Sequence, residues 1–406
     1  MINFFLTVRN RYPLIFALLT LGVPVLVGLF IFFTPFPYTT SQNQICFYSA
    51  LGIALFLVIT RHVVPDLKTP LIYPFAFFFL WSGLSLLWAL NFENSLHDIL
   101  THLLNALILY LMVITFFKSR ARLDVLKWLL VASAVIFSCV GLVYYYGVMA
   151  SPIGEIRLGG LLADGRHVST ELPGNMIGTL LIPALIFCSH FYRQYEQPRH
   201  KLFVILCAVI IFSAMVLTQS RGTLAAFFIA AVALLIIKNK KLLPLFLLGM
   251  VLALVFSPVR SRTDLVNNFI ERIKINYVML NVIRDYPLTG IGFGMRTVSD
   301  TLDLPKYVGA LPENYRPEQI ITPHNLLIDV AVRLGLIGLG LFVWILFTFA
   351  GMVWVMIRRT RDPALRRCVI DVGIALVAYF IIGLAEPVFL FSASAMYFYI
   401  LAAMLS

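Results

Sequence analysis

The chain has 406 residues, of which 61 % are hydrophobic and only 12 % charged, with a mean hydropathy of +0.93. That balance excludes an ordinary water-soluble domain, because such domains carry about a quarter charged residues. Its formal net charge of +12 would suggest nucleic acid in a soluble protein, so where the charge lies has to be settled first.

A helix that crosses a bilayer needs roughly 20 mostly apolar residues. Taken in chain order, the sequence offers such stretches near 12–33, 44–60, 70–90, 97–117, 124–149, 172–192, 200–218, 221–237, 241–257, 335–357, 367–384 and 388–405. They predict an all-α, polytopic membrane protein with about 12 spans forming a single domain. The first stretch is too long for a signal-peptide core and runs into Thr34-Pro35-Phe36-Pro37 rather than a small-residue cleavage site, so it is expected to be retained. Cys46, Cys139, Cys188, Cys207 and Cys368 fall in or beside apolar stretches with no CxxC pair, which predicts buried thiols rather than disulfides or zinc.

With a cytoplasmic amino terminus, nineteen of the 31 lysines and arginines fall in inside segments and three, Arg157, Arg166 and Arg221, in short outside loops. Basic residues in short loops mark the cytoplasmic side. Both termini are therefore expected in the cytoplasm, and the basic excess is a topology signal with no nucleic-acid partner. The outside bases are ten arginines against two lysines, Lys274 and Lys306. Guanidinium suits two-point gripping of phosphate or carboxylate, although arginine also settles among lipid headgroups.

The segment 258–334, between spans nine and ten, is too long for a linker. Apolar residues at Leu265, Phe269, Ile273, Leu280 and Ile283 predict an amphipathic helix lying on the membrane and carrying Arg272, Lys274 and Arg284, stopped at Tyr286-Pro287. Gly290, Gly292 and Gly294 follow at every second position. No strand precedes them, so a nucleotide fingerprint is a poor reading and a tight turn a better one. Pro323 and the apolar periodicity after Asn325 place His324 in the first turn of a helix entering the membrane. Helix amino termini disfavour added positive charge, leaving a neutral ring able to accept a proton; the plainer role is a structural hydrogen bond. Thr218-Gln219-Ser220-Arg221-Gly222 sets Arg221 at the start of span eight, and Arg157-Leu158-Gly159-Gly160, with Arg166 and His167, precedes span six. These segments are expected to aim arginines at one point beside His324.

The order of an Arg-Leu-x-Gly loop, a Ser-Arg-Gly turn, Arg284-Asp285-x-Pro-x-x-Gly-x-Gly-x-Gly and then His324-Asn325 before a glycine-containing helix resembles the O-antigen ligase and polymerase superfamily of bacterial envelopes. The resemblance implies an inverting, metal-independent glycosyltransferase in the inner (cytoplasmic) membrane. It would move O-antigen glycan from undecaprenyl diphosphate to a lipid A-core oligosaccharide at the periplasmic face, the step that completes lipopolysaccharide. By motif, the implied catalytic residue is His324. The implied diphosphate ligands are Arg221, Arg284, Arg157 and Arg166, with Asn325, Gly290 and Gly292 in support. The outside acids include no Asp-x-Asp and the chain no Walker loop, so no metal and no cofactor are expected. A polymerase or a protein O-oligosaccharyltransferase would use the same chemistry. A polysaccharide flippase is disfavoured, since transporters tend to show repeats and mid-membrane ionisable residues.

The orientation is testable: single cysteines replacing Asn268 and Asn314 should react with an impermeant thiol reagent in intact spheroplasts. Labelling that waits for lysis would reverse the topology.

Overall fold

The computed structural model describes residues 12–36, 39–150, 158, 176–238, 240–244, 246–248, 265–317, 320, 322–390 and 392–406. Span nine, expected at 241–257, lies largely outside them, as do Arg157 and Arg166. Among the described residues all regular structure is helical: α1 Pro13–Phe33, α2 Thr40–Ile59, α3 Ile72–Leu84, α4 Phe92–Phe116, α5 Arg120–Val148, α6 Gly178–Gln194, α7 Pro198–Leu217, α8 Arg221–Lys238, α9 Leu265–Asp285, α10 Thr297–Asp300, α11 Leu304–Gly309, α12 Leu326–Arg359, α13 Pro363–Gly383 and α14 Ser392–Ala403. Seven of these, α1, α2, α4, α5, α7, α8 and α12, are long and apolar enough to cross a membrane. The protein is a polytopic helical membrane protein.

Local chemistry sets the helix starts. Asn91, Ser119, Asn325 and Asp362 each accept a backbone N–H from the first turn of the helix they open, which satisfies donors that have no intrahelical partner. Proline opens α1, α7, α11 and α13, where its missing N–H costs nothing. All five cysteines are free, as their spacing predicted.

Side-chain size and polarity sort the helices from centre to rim. Almost every described residue of α14 is buried, and Phe398 and Tyr399 carry aromatic contacts to Phe75 of α3, Tyr379 and Phe380 of α13, and Phe389. On α1 and α7, by contrast, Leu14, Leu18, Val25, Leu202 and Phe203 are exposed. A bilayer hides such surface; water does not.

A second, smaller core lies in the segment after α8. Ile275, Val278, Met279 and Val282 of α9 pack with Ile291, Val298, Leu302, Tyr307 and Val332. The helix is where the sequence placed it, and the part of it that packs on protein is the stripe of 275, 278, 279 and 282. Leu280, counted among the apolar positions of the expected face, is exposed, as are Ile270 and Tyr277. Residues 275, 278, 279 and 282 form an equally valid helical stripe, and the shape of the neighbouring chain selects it. Lys306 and Tyr307 of α11 both donate to the Asp285 carboxylate, and these hydrogen bonds hold that carboxyl below its ordinary range.

The glycine run closes this core onto α12. Gly290 and Gly292 have φ of 68° and 107°, and Gly335, inside α12, has 68°, values that side chains other than glycine seldom adopt. The peptide N–H groups of Ile291 and Gly292 donate to Val332 and Arg333 carbonyls, and Leu336 donates to Pro287. A Cβ at Gly292 would stand 2.6 Å from that of Ala89, so the turn is a backbone-to-backbone clamp. Gly335 also breaks α12 into a shorter piece, 326–334, and the long span after it.

Arg333 sits under the clamp with no exposed surface, bonded to Asp329 at 2.7 Å and to the Gly294 and Met295 carbonyls. Arg333→Ala leaves a buried carboxylate without its partner, a loss of about 3–5 kcal/mol. Thermal unfolding in detergent should show a large fall in Tm for Arg333→Ala. A fall no larger than that of an exposed control such as Arg296→Ala would remove Arg333 from this role.

Candidate active site

The start of α12 and the turn after α13 meet. Pro323 is buried and Asn325 caps α12, its Oδ1 accepting from Leu327 at 2.9 Å and Ile328 at 3.2 Å. Its amide nitrogen reaches the Leu384 carbonyl at 3.4 Å, so one side chain both starts the helix and ties it to the α13 turn. His324 stands immediately before this cap, one step outside the first turn expected for it.

The ring of His324 is partly buried, and its Nδ1 lies 3.3 Å from Oε2 of Glu386. The other oxygen of Glu386 accepts from Arg272 of α9 at 2.9 Å, while a second guanidinium nitrogen of Arg272 donates to the Ala385 carbonyl at 2.9 Å. Glu386 is 7 % exposed, and a carboxylate so enclosed needs charged or hydrogen-bonding partners. A neutral ring that donates Nδ1–H to Glu386 keeps its lone pair on Nε2. The trio His324, Glu386 and Arg272 thus joins three segments far apart in sequence.

Arg221 approaches from a fourth segment. Thr218, Gln219 and Ser220 are buried in the turn before it; Gln219 has φ of 51°, and Ser220 Oγ accepts from Thr223 to cap α8. A Cβ on Gly222 would lie 3.4 Å from that of Ala385. The first residues of α8 therefore pack against the turn that holds Glu386, and the orphan N–H groups of a helix start add to the pull on an anion there. Leu158, the residue after Arg157 in sequence, donates its N–H to the Leu217 carbonyl at the end of α7 at 3.0 Å.

Arg284 is placed differently from the expectation that the outside arginines converge on His324. It lies twelve residues beyond Arg272 on one straight helix, about 18 Å along its axis, exposed beside the Asp285–Lys306 pair. Arg272 occupies the place expected for it. Gly290 and Gly292 serve the clamp. Asp329, five residues after His324, turns away to Arg333. Two residues the sequence did not single out for the site are Glu386 and Arg272. The signal for Glu386 was an acid between two apolar spans, followed by proline; Arg272 had no signal that set it above its neighbours. Among the described residues no group of three or more His, Cys, Asp and Glu side chains gathers as metal ligands.

Residues 206–343 match the family model described as O-antigen ligase. No curated protein matches the chain. The matched stretch contains Arg221, Arg272, Arg284 and His324, while Glu386 lies beyond its end.

Glu386→Gln keeps the shape of the side chain and removes its charge. The ¹⁵N resonances of the His324 ring should then shift, with loss of the single Nδ1–H tautomer. An unchanged ring spectrum would show that Glu386 does not set its orientation.

Proposed function

We propose, from the match of residues 206–343 to the family model described as O-antigen ligase, that this protein is an inverting glycosyltransferase of the bacterial inner membrane. Its donor is a glycan on undecaprenyl diphosphate and its acceptor a hydroxyl of lipid A-core oligosaccharide, joined at the periplasmic face. The observation that carries the reading is the meeting of His324, Glu386 and Arg272 beside the Arg221 turn.

The chemistry follows from those positions. Nε2 of His324 takes the acceptor hydroxyl proton as its oxygen attacks the anomeric carbon from the face opposite the diphosphate. The new C–O bond forms, the bond to the diphosphate breaks, and its electron pair leaves with the phosphate, inverting the anomeric centre. Glu386 balances the imidazolium that develops, and Arg272 holds Glu386 in place. Arg221, helped by the α8 start, takes the charge growing on the leaving diphosphate; Arg157 and Arg166 are assigned to the same anion. Positioned donors for a developing anion and a positioned base are the two contributions such a reaction needs. Arg284, far along α9, is left to bind glycan rather than the reacting phosphates.

Purified protein in lipid nanodiscs, given lipid-linked glycan and lipid A-core, should form the joined product in EDTA and without ATP. Removing a general base costs about a hundred- to ten-thousand-fold in rate, so His324→Ala should lose that much while still binding donor lipid. Joined product only when a second lipid-linked glycan or a protein serine is the acceptor would reassign the protein to polymerase or oligosaccharyltransferase chemistry. A need for a divalent ion would reject the metal-free scheme.

A further inference from the structure

A second charged cluster lies at the other ends of the helices that build the site. Asp371, in the third turn of α13, is 1 % exposed. It accepts from His190 Nδ1 at 2.9 Å and from Lys238, the last residue of α8, and lies 3.8 Å from Arg193 of α6. Lys127 of α5, 2 % exposed, reaches His190 Nε2 at 3.0 Å and Asp124 at 2.5 Å. Four helices are thus tied at one point by charges that the surrounding apolar medium tolerates only when paired.

The two clusters share α8 and α13. Helix α8 begins at Arg221 and ends at Lys238, about 26 Å apart on its axis, and α13 carries Asp371 and leads into Glu386. Between the clusters, the buried stripe of α8 is Thr223, Ala226 and Ala230. Small side chains let helices pack closely but present a shallow surface to a neighbour, so along this stripe little resists an axial slip. A slip of one turn, about 5.4 Å, would carry Arg221 away from the Ala385–Glu386 turn.

We propose that Asp371 and Lys238 are positioning residues: their contact fixes the register of α8 against α13 and so sets Arg221 against Glu386 and His324. The proposal rests on the catalytic reading of those three residues, and its test reads geometry rather than turnover. In the full chain in nanodiscs, Gly222→Cys with Ala385→Cys reports the active-site end of the pair. Gly383→Cys with Leu326→Cys is the control for contact between α13 and α12, because a Cβ at Gly383 would lie 3.3 Å from that of Leu326.

Mild oxidation followed by peptide mapping should find the 222–385 disulfide in most of the otherwise unaltered protein. Its yield should fall severalfold with Asp371→Asn or Lys238→Met and persist with Lys238→Arg, while the 326–383 disulfide is unchanged. Should Asp371→Asn not fold, Lys238→Met at the helix end carries the same test. Wild-type 222–385 yields in folded Lys238→Met protein overturn the proposal, as does an equal loss of both disulfides, which marks general loosening. These outcomes stand whether or not the protein proves to be a ligase.

Discussion

The buried guanidinium of Arg333 is the contact on which the outer part of the structure depends. It bonds at once to Asp329 one turn earlier in its own helix and to the carbonyls of Gly294 and Met295 in the glycine run. Those carbonyls belong to a stretch without helix, enclosed by protein, where backbone acceptors cannot turn to water. With the run held there, α9 lies along the first piece of α12 and delivers Arg272 to Glu386. Replacing a buried ion pair by apolar groups is often neutral in stability. What no apolar side chain supplies at this place is three directed hydrogen bonds to chosen oxygens.

The tryptophans and polar residues around α3 and α4 serve the same end. Trp81 donates to the Leu334 carbonyl and Trp88 to that of Thr289, on either side of the Gly290–Gly335 crossing. Ser95 accepts from Gly294, Asp98 from Met295 and Asn94 from Arg296. Three consecutive backbone donors are thereby met by side chains at successive positions of one helical surface. The glycines are needed because such close approach leaves no room for Cβ atoms, and the polar partners because the approach leaves the peptides dry.

Much of this was legible in the sequence, and the rest was hidden for physical reasons. Length and hydropathy gave most of the described helices to within a few residues, since lipid imposes a length that few soluble constraints match. The helix at 265–285 was found, but the face that packs on protein was not legible: apolar residues occupy two stripes, and periodicity does not say which one finds a protein partner. Residue types and motif order singled out His324 and Arg221, and both belong to segments that meet at the Glu386 turn. Glu386 stands 62 residues from His324 and pairs with it only through the packing of α12 on α13, a relation no local pattern encodes. Arg272 and Arg284 lie on one helix with the same charge and similar neighbours, and only the direction in which α9 runs decides which of them meets Glu386.

That direction also bears on charge balance during the proposed transfer. Glu386 touches one permanent cation, Arg272, and one imidazole, that of His324. Proton uptake by His324 adds one positive charge there while the departing diphosphate becomes more negative. In a medium of low effective dielectric, separated charges attract strongly, and the Arg221 turn lies against the same Ala385–Glu386 corner. Positive charge appearing on His324 therefore arises close to where negative charge appears on the leaving group, and each lowers the cost of the other. Arg284 stands about 18 Å along the helix from Arg272, away from that corner, and the proposed transfer accordingly uses Arg272 and Arg221.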